Sequence, residues 1–156
     1  MSSPVPPVVK TLVLPRSQAD VFRLYTQDFG KWWPSGTHSL GEDKVAAVVF
    51  EGRADGRIFE RWRDGQECDW GRVTVWSPSS RIVHTWHVGR APDRASEVEI
   101  NFTSLSPRKT ELKLEHRHWE RMAGADAARL RENYNKGWES VLAASFVSFA
   151  AHEETP

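Results

Sequence analysis

The chain has 156 residues, which fits one domain of ordinary size that buries roughly 70% of the surface exposed by its unfolded form. Lys and Arg together number 21, as do Asp and Glu, so the formal net charge is zero and the basic excess typical of nucleic-acid-binding proteins is absent. The single cysteine, Cys68, excludes an internal disulfide and fits a reducing cytosol.

The ends of the chain show no pattern typical of export or membrane insertion. The opening letters SSPVPPVV lack the charged region and the long apolar core of a signal peptide. Residues 141–151 form the longest weakly polar run near the end, and this run is too short to span a bilayer. We therefore expect a cytoplasmic protein with one domain over residues 1–156 and an ordered core over about residues 8–150.

The first quarter of the chain predicts one strand and two short helices. The β-branched segment Val8–Leu14 is followed by proline, which is typical of a strand. Ser17 is a suitable N-cap for a helix that continues to about Thr26. One further helical turn must end at Pro34, and the polar residues 35–43 predict a loop.

The middle of the chain predicts six consecutive strands joined by short turns. Asp64-Gly65 is a strong hairpin signal. Short turns between consecutive strands imply antiparallel pairing, and the first strand makes the sheet seven-stranded. The predicted strands cover residues 45–51, 57–63, 67–76, 81–88, 96–105 and 110–119.

The last part of the chain predicts one long amphipathic helix after Asp126. Its apolar residues recur at steps of three and four, and about 25 helical residues would reach roughly 37 Å, so the helix must cross the whole sheet. Gly137 lies on or beside this stripe, where it either makes room for a ligand or a bulky Trp or packs closely against the sheet. The stripe consists of Leu130, Tyr134, Trp138, Val141, Leu142, Ser145, Phe146 and Phe149.

These elements predict an α+β fold. A curved seven-stranded antiparallel sheet wraps around the long C-terminal helix, with two short helices after the first strand. Where the side chains of the curved sheet do not reach the helix, a cavity remains. Eight of the residues are Trp, and ligand cavities favour aromatic walls.

The order of elements resembles the START-like helix-grip superfamily, also called SRPBCC, which includes the birch pollen allergen, polyketide cyclases and lipid-transfer domains. Short motifs spread over about residues 8–150 carry a closer resemblance. They are Val21-Phe22, Tyr25-Thr26, Lys31-Trp32-Trp33-Pro34, residues 56–61 and 67–73, Trp76, Pro78, residues 81–83, Trp86, Glu111-Leu112, residues 115–117 and Gly137-Trp138. In these motifs the chain resembles the branch named after the activator of the heat-shock protein 90 ATPase. The resemblance implies the fold more than an activity, because this fold hosts many functions.

His116 and His118 form a His-x-His pair on one face of a predicted strand. Such pairs bind metals only with further ligands, and His84 and His87 lie two strands earlier with opposite facing. We therefore expect no metal and interpret His116 as a polar point in an apolar cavity, bonded to a ligand or to a neighbouring strand.

Glu60 has two interpretations that depend on its facing. If it points inward, it is a buried carboxylate with a raised pKa that could act as an acid or base. If it points outward, it is solvated and pairs with Arg72. Cys68 has no partner in the sequence and is interpreted as an inert apolar residue.

The leading functional hypothesis is a binding module for a small apolar or aromatic molecule, without a cofactor and without nucleic acid. The resemblance implies two alternatives. One is an interaction protein that stimulates a chaperone ATPase, and the other is an enzyme of the cyclase, dehydratase or hydrolase kind in which Glu60, His84 or His116 converge. The residues predicted to line the binding cavity are Trp32, Trp33, Phe59, Glu60, Trp70, Trp76, His84, Trp86, His116, Tyr134, Trp138 and Leu142.

Overall fold

Seven antiparallel strands form a curled sheet around a C-terminal helix in the computed structural model, which describes residues 5–153. The order across the sheet is β1-β7-β6-β5-β4-β3-β2, so the six later strands form a meander and β1 pairs with the last of them. This confirms the predicted fold class. The strands are β1 Val8–Leu14, β2 Val45–Phe50, β3 Arg57–Trp62, β4 Glu67–Ser77, β5 Arg81–Trp86, β6 Ser96–Ser106 and β7 Lys109–Arg117.

Two short helices follow β1, as predicted: α1 spans Gln18–Thr26 and α2 spans Phe29–Trp32. The hydroxyl of Ser17 accepts a hydrogen bond from the backbone N–H of Asp20 at 3.2 Å, which caps the first turn of α1.

The C-terminal helix runs without interruption from Ala127 to His152 in three parts. Helix α4 covers Ala127–Trp138, a π-helical segment covers Glu139–Phe146, and helix α5 covers Val147–His152. The side chain of Asp126 precedes the helix but makes no capping hydrogen bond. The pattern of apolar residues predicted the helix but not the π-helical segment inside it.

Two of the predicted strands end two residues too late. His118 adopts a left-handed conformation with φ of 69°, which turns the chain out of the sheet after Arg117. Trp119 therefore begins a further helix, α3 (Trp119–Ala123), and does not end β7. Strand β5 ends at Trp86, before the turn in which Gly89 has φ of +76°.

The register of the sheet decides which side chains face the helix. In β6, Val98, Ile100 and Phe102 are buried while the residues between them are half-exposed. Val98 pairs with His84 on one side and His116 on the other, so both imidazoles lie in one row across three strands. Neighbouring strands are about 4.8 Å apart, which places the two histidines roughly 10 Å from each other.

No helix within residues 5–153 is both long and apolar enough to cross a membrane.

The close approach of β4 and β5 generates a stability prediction. A Cβ on Gly71 would lie only 1.8 Å from the carbonyl oxygen of Thr85, so the strands must move apart in Gly71→Ala. We expect this variant to lose about 1–3 kcal/mol of unfolding free energy in a denaturant titration. Gly36→Ala is the control, because a Cβ there meets nothing within 4 Å. Equal stability of the two variants would contradict the observed strand spacing.

Candidate functional site

A partly enclosed cavity of about 200 Å³ lies between the sheet and the C-terminal helix. Strand β5 and the turn after it form one wall, the C-terminal helix forms the second, and the loop of residues 34–41 forms the third. The lining residues are Trp33, Thr37, His38, Ser39, Trp86, Val88, Tyr134, Gly137, Trp138 and Val141.

Three indoles surround this space and contact one another. Ring centroids are 5.8 Å apart for Trp33 and Trp86, 5.7 Å for Trp33 and Trp138, and 5.6 Å for Trp86 and Trp138. A Cβ added to Gly137 meets nothing within 4 Å, so this glycine leaves open space on the helix. That excludes close packing of Gly137 against the sheet and agrees with the alternative in which the glycine makes room for a ligand or a bulky Trp.

A chain of hydrogen bonds connects the indole of Trp138 to the backbone of Trp86. The Nε1–H of Trp138 donates to Nδ1 of His116 at 2.9 Å. An indole N–H only donates, so Nδ1 must accept and Nε2 carries the proton of the neutral ring. His116 Nε2 then donates to the hydroxyl of Ser96 at 2.7 Å, and that hydroxyl donates to the carbonyl of Trp86 at 3.0 Å.

His116 is therefore a structural group in an uncharged state. Burial holds the pKa of its imidazole well below the ordinary value. Both ring nitrogens are used within the protein, and neither is left for a ligand or a metal. His118 lies outside the strand, and within residues 5–153 no group of three His, Cys, Asp or Glu side chains is arranged to hold a metal ion.

Tyr134 is the aromatic wall that offers a polar group to the cavity. Its hydroxyl oxygen accepts a hydrogen bond from Nε1 of Trp86 at 3.0 Å. No acceptor for its own proton is found in the part of the chain that the structure describes. Burial raises the pKa of this phenol, so it stays protonated near neutral pH and can donate to an oxygen of a bound molecule.

Glu60 anchors the loop that forms the third wall. Its carboxylate accepts hydrogen bonds from the backbone N–H groups of Leu40 at 2.8 Å and Gly41 at 2.7 Å. The indole N–H groups of Trp62 and Trp70 donate to it at 2.7 and 2.8 Å. The side chain is thus fully buried, and its carboxylate accepts four hydrogen bonds from protein N–H groups.

Glu60 is buried, as the inward interpretation expected, but the raised pKa of that interpretation is wrong. Burial alone would raise the pKa of Glu60, but the four donors outweigh it and lower the pKa below its ordinary value. The carboxylate therefore stays ionised and does not serve as a buried acid. The outward alternative is wrong, because Glu60 is fully buried and Arg72 donates instead to the carbonyl of Asp55 at 3.1 Å.

Two further predicted site residues lie behind the cavity wall. Trp70 is buried against Trp33 and Trp86, with ring centroids 5.2 and 5.5 Å away. His84 donates from Nδ1 to the carbonyl of Thr85 at 2.9 Å, and burial lowers the pKa of His84 to about 4.

Four predicted site residues lie elsewhere. Trp32 packs into the core and donates from Nε1 to the carbonyl of Leu24 at 3.0 Å. Phe59 lies on the outer sheet face, where the guanidinium of Arg57 stacks 4.0 Å from its ring centroid. Trp76 packs against the ring of Phe22 in α1. Leu142 is buried in the core, next in sequence to Val141, which lines the cavity.

The structure thus brings Trp33, Trp86, Tyr134 and Trp138 together at the cavity. It adds the loop residues Thr37, His38 and Ser39, which the sequence presented only as a polar loop. The ring N–H of Trp33 donates to the carbonyl of His38 at 2.8 Å, so the aromatic wall also holds the loop in place.

A curled sheet that grips a long helix above an aromatic cavity defines a helix-grip domain. The family model described as Activator of Hsp90 ATPase homolog 1-like protein matches residues 15–151, and the chain belongs to this family. The predicted resemblance is therefore confirmed. No curated protein matches the chain at a significant level.

Solved structures support the same assignment. The anthrahydroquino-γ-pyrone synthase Txn09 is 32% identical, with 83% of this chain and 88% of that chain covered and a TM-score of 0.57. The self-sacrificing resistance protein CalC from Micromonospora echinospora is 24% identical, with 97% of both chains covered and a TM-score of 0.70. Protein MLL2253 from Mesorhizobium loti, 17% identical over 95% of this chain and 99% of its own, has a TM-score of 0.65. The last two share the fold, and together the comparisons support a ligand-binding helix-grip domain in general terms.

The hydrogen bonds between Glu60 and the loop of residues 34–41 lead to a second prediction. Glu60→Gln replaces an oxygen acceptor by an N–H₂ group that faces N–H donors, so it should cost about 2–4 kcal/mol of unfolding free energy at pH 7. Because the folded-state pKa of Glu60 is lowered, its stabilisation is present above the ordinary pKa and is lost as pH falls through the folded pKa. The difference between wild type and variant should therefore shrink in acid.

Hydrogen exchange of the Leu40 and Gly41 amides should also accelerate in Glu60→Gln. Glu67→Gln is the matched control, because Glu67 is an exposed carboxylate on the neighbouring strand that contacts Arg57 and Arg61. Unchanged exchange at Leu40 and Gly41 would contradict the anchoring role.

Proposed function

We propose that the protein binds a planar aromatic molecule of two or three fused rings in the cavity between the sheet and the C-terminal helix. The observation that carries this proposal is the set of three mutually contacting indoles, Trp33, Trp86 and Trp138, around the open space at Gly137.

Flat rings suit these walls for two physical reasons. Burial of apolar surface contributes about 25 cal/mol per Å². Aromatic rings gain roughly 0.5–1.5 kcal/mol more when they stack with an offset or meet edge to face. The indoles of Trp33 and Trp138 stand at 81° to each other, so a flat ligand can stack on one while it meets the edge of the other.

Tyr134 gives the site its polar preference. A phenol that already accepts from Trp86 can donate one hydrogen bond, so it favours a ligand with a carbonyl or hydroxyl oxygen. Specific ligand sites commonly combine apolar walls with few polar groups of this kind.

The size of the cavity limits the ligand. About 200 Å³ is below the range of roughly 300–1,000 Å³ typical of sites for drug-sized molecules. The buried part of the ligand is therefore small, and larger molecules must extend past residues 34–41.

The relation to Txn09 supports a polycyclic aromatic ligand, because that protein is described as an anthrahydroquino-γ-pyrone synthase and is 32% identical. The same relation favours a second candidate function, catalysis on such a ligand. His38 and Tyr134 line the cavity and present an imidazole and a phenol to its contents, whereas Glu60, His84 and His116 are bonded within the protein. Mass spectrometry of the ligand after incubation would reveal a chemical change.

Calorimetric titration with 2-acetylnaphthalene, naphthalene and decanoic acid tests the binding function. We expect 2-acetylnaphthalene to bind best, and at a hundredfold excess over its Kd it should stabilise the fold by about 2.7 kcal/mol. Tyr134→Phe removes the hydroxyl donor and should weaken 2-acetylnaphthalene about five- to tenfold while naphthalene is unaffected.

A cavity-filling variant supplies the decisive comparison. Gly137→Leu places a branched side chain at a position where a Cβ meets nothing, and it should abolish binding without unfolding the protein. Ala128→Leu is the matched control on the exposed face of the same helix and should bind like wild type. Wild-type affinity in Gly137→Leu would overturn the proposal.

A further inference from the structure

Three arginines line a groove next to the aromatic cavity. The groove has a volume of about 290 Å³ and lies between the β5–β6 connection and helices α3 and α4. We call it the arginine groove, and its lining residues are Arg90, Arg94, Met122, Ala123, Asp126, Arg129, Leu130 and Asn133.

Two of the guanidinium groups converge on a single acceptor. Arg90 donates from Nε to the carbonyl oxygen of Met122 at 3.0 Å, and Arg94 donates to the same oxygen at 2.8 Å. One carbonyl carries only a partial negative charge, so it does not balance two cations held side by side.

The arginine groove has an excess of positive charge. Within residues 5–153, none of its three arginines has a carboxylate oxygen within 4.0 Å, although arginines on the sheet do. Asp126 is the sole carboxylate residue among the described residues that line the groove. The groove is therefore arranged to accept a negatively charged group from outside the protein.

The arginine groove continues the cavity along the same two elements. Val88 lines the cavity and Arg90, two residues later, lines the groove. On α4, Tyr134 lines the cavity, and Leu130, one turn earlier, lines the groove. Arg90 is also close enough to oppose the effect of burial on the pKa of Tyr134.

We infer that the natural ligand is an aromatic carboxylate whose rings occupy the cavity and whose carboxylate lies in the arginine groove, an inference that rests on the proposed function. A guanidinium presents its N–H donors in a planar fork that matches a carboxylate, and such bonds are about twice as strong as neutral ones. An anion in the groove also relieves the repulsion between Arg90 and Arg94.

The test compares two probes of nearly equal shape, 2-naphthoate and 2-naphthalenemethanol, by calorimetric titration at low and high salt. We expect 2-naphthoate to bind at least tenfold more tightly at low salt, and to lose most of this advantage at high salt because ions screen the groove.

Charge variants assign the effect to the arginine groove. Arg129→Gln removes a guanidinium that makes no hydrogen bond within the described residues, and Arg90→Gln leaves Arg94 on the Met122 carbonyl. Each should weaken 2-naphthoate about tenfold and leave the alcohol unchanged. Asp126→Asn removes the opposing charge and should strengthen 2-naphthoate. Arg108→Gln, on the exposed β6–β7 turn, is the control and should change neither affinity.

The outcomes separate the two claims. Equal binding of both probes, or 2-naphthoate affinity that is insensitive to Arg90, Arg129 and Asp126, would overturn the anion inference while the aromatic cavity stands. Absence of binding by both probes to the wild-type protein would overturn the proposed function and the inference together.

Discussion

The position of the C-terminal helix depends on a buried imidazole that stays uncharged. Trp138 on the helix donates to His116 on β7, and His116 in turn holds Ser96 on β6. Burial keeps the pKa of His116 far below its ordinary value, so this connection persists in the neutral form. Because Trp138 is fixed in this way, the space beside its neighbour Gly137 stays open. The hydrogen bond of Trp138 and the missing side chain at Gly137 thus shape the helix side of the cavity.

The polar groups that look reactive in the sequence are used to build the walls. Glu60 holds the 34–41 loop through two backbone amides, and His116 holds the helix, so each fixes one side of the cavity. A buried ionised carboxylate is stable only when donors surround it, and two of the four donors of Glu60 are indoles. The abundance of Trp therefore serves two purposes, because the rings provide apolar walls and their N–H groups donate hydrogen bonds to buried acceptors. The group that can donate a hydrogen bond to a ligand is instead the hydroxyl of Tyr134.

The sequence determined the fold more clearly than the facing of individual residues. Alternating strands and one apolar stripe specify the sheet and the helix, because burial requires them to pack together. The prediction that Phe59 lines the cavity is wrong, since strand pairing turns this ring toward Arg57 on the outer face. Val141 takes the cavity position expected for Leu142, because Val141 lies one helical turn after Gly137 and two turns after Tyr134, whereas Leu142 is buried in the core. The loop residues had no local signal, because Glu60, 20 residues away in sequence from Leu40, fixes their position.

The central claim is that a flat aromatic molecule enters the space between Trp33, Trp86 and Trp138. Intermolecular nuclear Overhauser effects in a complex with 2-acetylnaphthalene test it most directly. We predict contacts from the naphthalene protons to the Cα protons of Gly137 and to the indole protons of these three residues. Contacts confined to rings outside the cavity, such as Phe59 or Trp76, would contradict the account.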